Sequence, residues 1–219
     1  MTVHSPGRPT DLPRAEELWA DAAVLAVLSA GLRPGYLEQA ELDEHGLRSL
    51  DSQNGWWTLS RWPHGRMVLC GIDDDYGETL LEPPVDLLAG GPDWLPADYL
   101  ADPLGGGETV GLVYWWDGSW GRAPYPDGLR DDGLAGLAPV SREEWPWRHD
   151  ILDCASDADE AGAAYDALLS AARSYTVDEA ALGRLFGALD VGRLTTEMHA
   201  SIDLTAALDV ARRAGLTQG

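Results

Sequence analysis

The chain has 219 residues, of which 37 are acidic and 15 basic, so its formal net charge is −22 at pH 7. Its 45% hydrophobic content and ten tryptophans exclude an intrinsically disordered acidic chain, because such chains lack the apolar area that offsets the entropy of ordering. No run approaches the roughly 18 apolar residues of a membrane span, and the two cysteines exclude a disulfide scaffold.

The first predicted element is a helix over residues 13–30. Pro13 suits a first helical turn, and Glu16 lies near the positive end of the helix dipole. Apolar residues then recur at helical spacing, and Gly31 and Pro34 end the helix. The pattern is typical of a packing helix.

The middle of the chain changes to a strand pattern. The predicted strands cover residues 56–62, 66–72, 109–116 and 119–123. The second of them is almost wholly apolar, which is typical of a central strand. Asp117-Gly118 lies between the last two, and this dipeptide is a strong hairpin signal.

Helical spacing returns in the last third. Asp157 or Asp159 opens the first predicted helix, Thr176 and Glu179 have the form of a capping box for the second, and the third covers residues 203–214. We therefore predict an α+β fold, with an N-terminal helix, an antiparallel sheet of four or more strands, and C-terminal helices packed on or beside it.

Two domain organisations follow from these elements. The first is an α+β domain over residues 1–150, which holds the tryptophan-rich sheet, followed by a helical C-terminal subdomain over residues 151–219. The second is one single domain, because the length suits either arrangement.

The acidic segment (residues 67–121) has the most informative pattern, since it holds eleven carboxylates and no Arg, Lys or His. Burying an unpaired carboxylate costs roughly several kcal/mol, so we expect a solvated negative face. Such a face repels the phosphate backbone, and we expect no binding to nucleic acid. It attracts a cationic protein, while solubility alone is the alternative explanation.

The acids after the apolar strand form a candidate metal site. Carboxylate oxygens at a strand end suit Mg²⁺ or Ca²⁺. In an extended chain Asp73 and Asp75 point to one side and Asp74 to the other. One hypothesis is therefore a metal-dependent hydrolase that uses Asp73, Asp75 and Glu78, with His149 as base. The other is an acidic turn without a metal.

The tryptophans allow a further hypothesis. Adjacent indoles such as Trp115 and Trp116 point to opposite faces of a strand. If exposed, Trp115, Trp116 and Trp120 would bind a carbohydrate or a small cation, or would anchor a protein interface. The alternative is that helices and loops cover them.

Other catalytic signatures are missing from the sequence. There is no His-x-x-x-His or Cys-x-x-Cys pair for zinc, no Gly-x-Ser-x-Gly elbow, and no glycine-rich phosphate loop. Cys70 lies in the most apolar strand and is predicted to be a core residue. We therefore expect no cofactor and do not favour an enzyme.

One short motif resembles a known family. Leu95-Pro96-Ala97-Asp98-Tyr99-Leu100, followed by Gly105-Gly106-Gly107, resembles the Leu-Pro…Tyr…Gly-Gly signature of the SUKH immunity proteins. The rest of that signature is not found in this sequence, and we do not assign the chain to the family.

Together these patterns favour a module that binds a basic protein and contacts neither a membrane nor nucleic acid. The residues expected at the interface are Asp73, Asp74, Asp75, Glu78, Trp115, Trp116, Asp117 and Trp120. An immunity or antitoxin-like protein that masks a cationic toxin site would fit, as would an adaptor. All fifteen basic residues are arginine, as in GC-rich bacterial genomes, and the N-terminal sequence lacks the layout of a secretory signal. We therefore expect a bacterial cytoplasmic protein.

Overall fold

The computed structural model of the chain describes residues 3–33, 40–51, 55–137, 140, 146–197 and 200–218. It confirms the predicted α+β fold, with an N-terminal helix, a six-stranded antiparallel sheet and C-terminal helices. The α-helices are α1 (Ala15–Gly31), α2 (Ala97–Leu100), α3 (Pro146–Asp153), α4 (Ala158–Arg173), α5 (Glu179–Gly187), α6 (Val191–Glu197) and α7 (Leu204–Arg213). The strands are β1 (Leu32–Arg33), β2 (Ala40–Leu42), β3 (Gly46–Asp51), β4 (Gly55–Trp62), β5 (Arg66–Asp73), β6 (Leu112–Trp116), β7 (Trp120–Arg122) and β8 (Ser201–Ile202).

The main sheet has the order β2-β3-β4-β5-β6-β7, so each strand pairs with its neighbour in sequence. Strand β5 pairs with β4 on one side and β6 on the other and is buried along nearly its whole length, as its apolar sequence predicted. The predicted Asp117-Gly118 turn joins β6 to β7, where Trp116 pairs with Trp120. Gly118 has a φ of 81°, a conformation that glycine adopts without steric cost.

The helix starts in the last third are set by aspartates. Asp157 caps α4 by accepting two N–H groups of its first turn, which confirms one of the two predicted start residues. The predicted capping box of α5 is wrong, because the cap is Asp178, whose carboxylate accepts the Ala181 N–H at 2.7 Å. Thr176 instead donates its hydroxyl to the Ala171 carbonyl, within α4.

The chain divides into two compact units. Unit 1 comprises Met1–Leu18 and Arg48–Glu143, and unit 2 comprises Trp19–Leu47 and Glu144–Gly219. The predicted helical subdomain after residue 150 stays a prediction. None of the helices in the described ranges is long and apolar enough to cross a membrane.

One face of the central sheet in unit 1, which we call the cluster face, is covered by the β5–β6 connection (residues 74–111). The register aligns Thr58, Cys70 and Val113, whose side chains point to this face. The buried apolar residues here are Trp56, Val68, Cys70, Ile72, Leu100 and Val113. The connection packs on them through Leu87, Leu88, Trp94, Leu95, Tyr99 and Leu104.

The opposite face of unit 1 is covered by the N-terminal segment and residues 123–137. Tyr114 on this face is fully buried, and its hydroxyl donates to the Asp132 carboxylate at 2.6 Å. Gly7 packs against it so closely that a Cβ there would lie 2.5 Å from Leu134 and 2.7 Å from the Tyr114 hydroxyl. The close approach therefore requires glycine.

Unit 2 is held together by contacts between residues far apart in sequence. The Trp19 indole donates to the Ala214 carbonyl at 3.0 Å. The short strands β1 and β8 pair where Leu32 meets Ile202. Each contact ties α1, or the strand that follows it, to the C-terminal part of the chain.

Candidate functional site

The carboxylates of the acidic segment lie almost entirely at the surface of unit 1. Nine of the eleven are exposed, whereas Glu78 is half-buried and Asp73 is buried. The exposed ones are Asp74, Asp75, Glu82, Asp86, Asp93, Asp98, Asp102, Glu108 and Asp117. This exposure agrees with the free-energy cost of removing a carboxylate from water.

All the exposed carboxylates except Asp117 belong to the β5–β6 connection, of which the part from Leu87 to Leu104 packs on one side of the sheet. Its apolar residues from Leu87 to Leu104 contact the cluster face. The exposed carboxylates between these two residues therefore project from the outer side of the same layer. Residues 74–82 lie where this layer begins, at the end of β5. We call the exposed carboxylates of the connection the acidic surface.

Two described arginines of unit 1 pair with carboxylates of the acidic segment. Arg130 binds the Glu78 carboxylate through its Nε and Nη2 atoms, and these hydrogen bonds lower the pKa of Glu78. Arg66 Nε lies 3.2 Å from Asp117 Oδ2. Among the residues that the structure describes, no ion pair reaches Asp74, Glu82, Asp93, Asp98 or Glu108.

Asp73 is placed inside unit 1 and not at its surface. As the last residue of β5 it caps the following turn, where its Oδ1 accepts the N–H groups of Asp75 (2.9 Å) and Tyr76 (3.0 Å). Burial raises the pKa of Asp73, the two N–H groups act in the opposite direction, and the charges of Asp75 and Asp131 raise it further. Asp73 therefore shapes the turn that presents Asp74 to solvent.

The candidate metal ligands have different surroundings. Asp73 is turned inward, Glu78 is ion-paired, and Asp75 is exposed. Within the described ranges no group of three or more His, Cys, Asp and Glu side chains could hold a metal ion. His149 lies on α3 in unit 2, with its Nε2 3.6 Å from Asp153 Oδ2. This geometry gives the hydrolase hypothesis no support.

The tryptophans at the β6–β7 hairpin pack within the sheet. Trp115 is half-buried on the cluster face, beside the β5–β6 connection. Trp116 is also half-buried, and its ring meets that of Trp120 edge to face at 5.6 Å. Trp120 is buried, and its indole donates to the Pro13 carbonyl at 2.6 Å. The three indoles thus do not form an open stacking platform for a sugar.

The structure also exposes apolar residues that the sequence analysis did not single out. Tyr76, Leu80 and Leu81 are 68%, 55% and 42% exposed, within the same stretch as Asp74 and Glu82. A tyrosine and a leucine pair inside a run of acids is the signal that could have identified them. Their exposure itself depends on which side of the turn faces the sheet, which periodicity does not reveal.

Comparison with known proteins gives no match to a family model, to a curated protein or to a solved structure.

Proposed function

We propose that this chain is a protein-binding module that engages a basic protein through the acidic surface of unit 1. The observation that supports the proposal is the concentration of exposed carboxylates in the β5–β6 connection, whose residues from Leu87 to Leu104 pack on the cluster face. Several of them have no ionic partner in the part of the chain that the structure describes. Of the sequence-predicted interface residues outside this surface, Asp117 is exposed, whereas Glu78, Trp115 and Trp116 are half-buried and Asp73 and Trp120 are buried.

The charge distribution selects the class of partner. Carboxylates within about one Debye length of each other, which is about 8 Å at physiological salt, repel one another, and a cationic partner relieves this repulsion. The same field accelerates encounter with a positively charged protein. Phosphate groups carry the same sign as this surface, which disfavours nucleic acid as the partner.

A module of this kind would act by covering a cationic surface on its partner. Occlusion of a basic active site is the mode of an immunity or antitoxin-like protein, and recruitment through the same surface is the mode of an adaptor. The bacterial cytoplasm is the compartment in which we propose that it works.

Affinity capture followed by reconstitution tests the proposal. The tagged chain is used to recover proteins from a lysate of its host at low and at moderate salt, and the recovered proteins are identified by mass spectrometry. A candidate with a basic isoelectric point is then purified, and its binding to the chain is measured by titration calorimetry. Failure to recover and reconstitute any basic partner at either salt would argue against the proposed function.

We expect the triple variant Asp74→Asn, Asp75→Asn, Glu82→Gln to bind this purified partner about tenfold more weakly at low salt. Each exposed charge contributes on the order of 0.5 kcal/mol, and most of the loss should be in the association rate. The matched control removes three exposed charges from α4 and α5 of unit 2 through Asp159→Asn, Glu160→Gln and Glu179→Gln. Equal weakening in both variants would show that net charge, and not the acidic surface, determines binding.

A further inference from the structure

Three large apolar side chains are exposed in one short stretch of the β5–β6 connection, between carboxylates of the acidic surface. They are Tyr76, Leu80 and Leu81, which we call the apolar patch. The other large hydrophobic side chain found exposed among the described residues is Val191, on α6 of unit 2. A single exposed leucine needs no explanation, but three large apolar side chains exposed between residues 76 and 81 do need one, and contact with a partner supplies it.

The backbone of this stretch is fixed by hydrogen bonds to neighbouring segments. The Glu78 N–H donates to the Asp131 carbonyl at 3.0 Å. Thr79 is buried, and its hydroxyl donates to the Gly111 carbonyl at 2.5 Å. These bonds fix the backbone between the apolar side chains, so binding through them does not require this part of the backbone to become ordered.

Carboxylates border the apolar patch on both sides in the chain. Asp74 and Asp75 precede Tyr76, and Glu82 follows Leu81 directly, all of them exposed. An apolar centre within a polar rim is the arrangement of protein interfaces in which a few central residues supply most of the affinity. The rim here is negative, so the complementary surface is positive.

We infer that the apolar patch is the centre of the interface, and that the basic partner presents an apolar pocket bordered by Arg or Lys side chains. The inference rests on the proposed function and adds the position of the contact and the second chemical feature of the partner. Tyr76 is its best anchor, because a rigid aromatic ring with a polar end loses little entropy on binding.

Titration calorimetry with the purified basic partner recovered by affinity capture tests the inference. The patch variant is Tyr76→Ser with Leu80→Ser in the full chain, and the matched control is Val191→Ser. These side chains are exposed, so far-UV circular dichroism and thermal unfolding should match those of the wild type. We expect the patch variant to bind about 100-fold more weakly and the control to bind normally.

The salt dependence of binding distinguishes the contribution of the apolar patch from that of the carboxylates. At about 0.5 M salt the deficit of the triple charge variant should shrink, because screening weakens the charges of the wild type as well, whereas the deficit of the patch variant should persist. Weakened binding by the charge variant with normal binding by the patch variant would overturn the inference and leave the proposed function intact. Recovery of no basic partner, or normal binding by both variants, would reject the proposed function and the inference together.

Discussion

Replacement of Asp132 by alanine is expected to lower the free energy of unfolding of unit 1 by about 4 kcal/mol. This buried carboxylate accepts the N–H of Gly7 (2.8 Å) and of Leu134 (3.3 Å) and the hydroxyls of Tyr114 (2.6 Å) and Tyr125 (2.9 Å). The substitution leaves four polar groups without their acceptor, at about 1–3 kcal/mol for each one that water does not reach. Urea unfolding followed by tryptophan fluorescence measures the loss.

The two tyrosines are held in their neutral, hydrogen-bond-donating form. Burial raises the pKa of both Tyr114 and Tyr125, and the negative charge of Asp132 raises it further, so the hydroxyls remain protonated donors.

The matched control for Asp132→Ala is Asp127→Ala, which removes an exposed carboxylate from the same part of the chain and should change the stability of unit 1 by less than about 0.5 kcal/mol. A similar loss in both variants would contradict the role of Asp132.

Replacement of Arg173 by alanine is expected to destabilise unit 2 by about 3 kcal/mol. The guanidinium of Arg173, on α4, binds both carboxylate oxygens of Asp21, on α1, at 2.7 and 2.9 Å. The Asp21 side chain is completely buried, so its charge stays in the interior when the cation is removed. The Arg173 side chain is 39% exposed, so water can reach Asp21 once the guanidinium is removed. The expected loss therefore lies at the lower end of the roughly 3–5 kcal/mol that removal of one partner of a buried ion pair costs.

Thermal unfolding monitored by circular dichroism at 222 nm checks this result, since unit 2 holds most of the helices. The control is Arg148→Ala, because Arg148 also pairs with an aspartate, Asp166, but at 3.5 Å and with both side chains exposed. An exposed pair of this kind contributes about 0–1 kcal/mol. If the two variants unfold at the same temperature, the buried pair of Arg173 and Asp21 stabilises unit 2 no more than the exposed pair does.

Local patterns were sufficient to predict the long elements of the fold. Helix α1, the strands β4 and β5, and the Asp117-Gly118 hairpin follow from apolar spacing and turn chemistry, and their observed bounds lie within a few residues of the predicted ones. The short strands were not predicted, because the pairing of Leu32 with Ile202 brings together residues that no local window contains. The spacing of Thr176 and Glu179 fits a capping box, but Asp178 is a competent cap within the same four residues, and local spacing does not decide between the two.

Sequence alone predicted which side chains of the candidate site are exposed only where the cost of removing a charge from water determines their position. The exposure of most carboxylates follows from the cost of burying them, without knowledge of the fold. The inward position of Asp73 could not be predicted from the sequence. In an extended strand Asp73 and Asp75 would point to the same face, but the chain turns directly after Asp73. The exposure of Leu80 could not be predicted either, because it accompanies the burial of Thr79, whose hydroxyl makes a tertiary hydrogen bond to the Gly111 carbonyl.

Paramagnetic relaxation of amide protons by a cationic and an anionic nitroxide of equal size gives the most direct measure of the local electrostatic potential around unit 1. At low salt we expect the preference for the cationic probe to be several-fold greater at residues 86–104, which pack on the cluster face, than at residues 123–129, which belong to the segment covering the opposite face. The same preference on both sides would contradict a one-sided negative surface and would remove the basis for a basic partner.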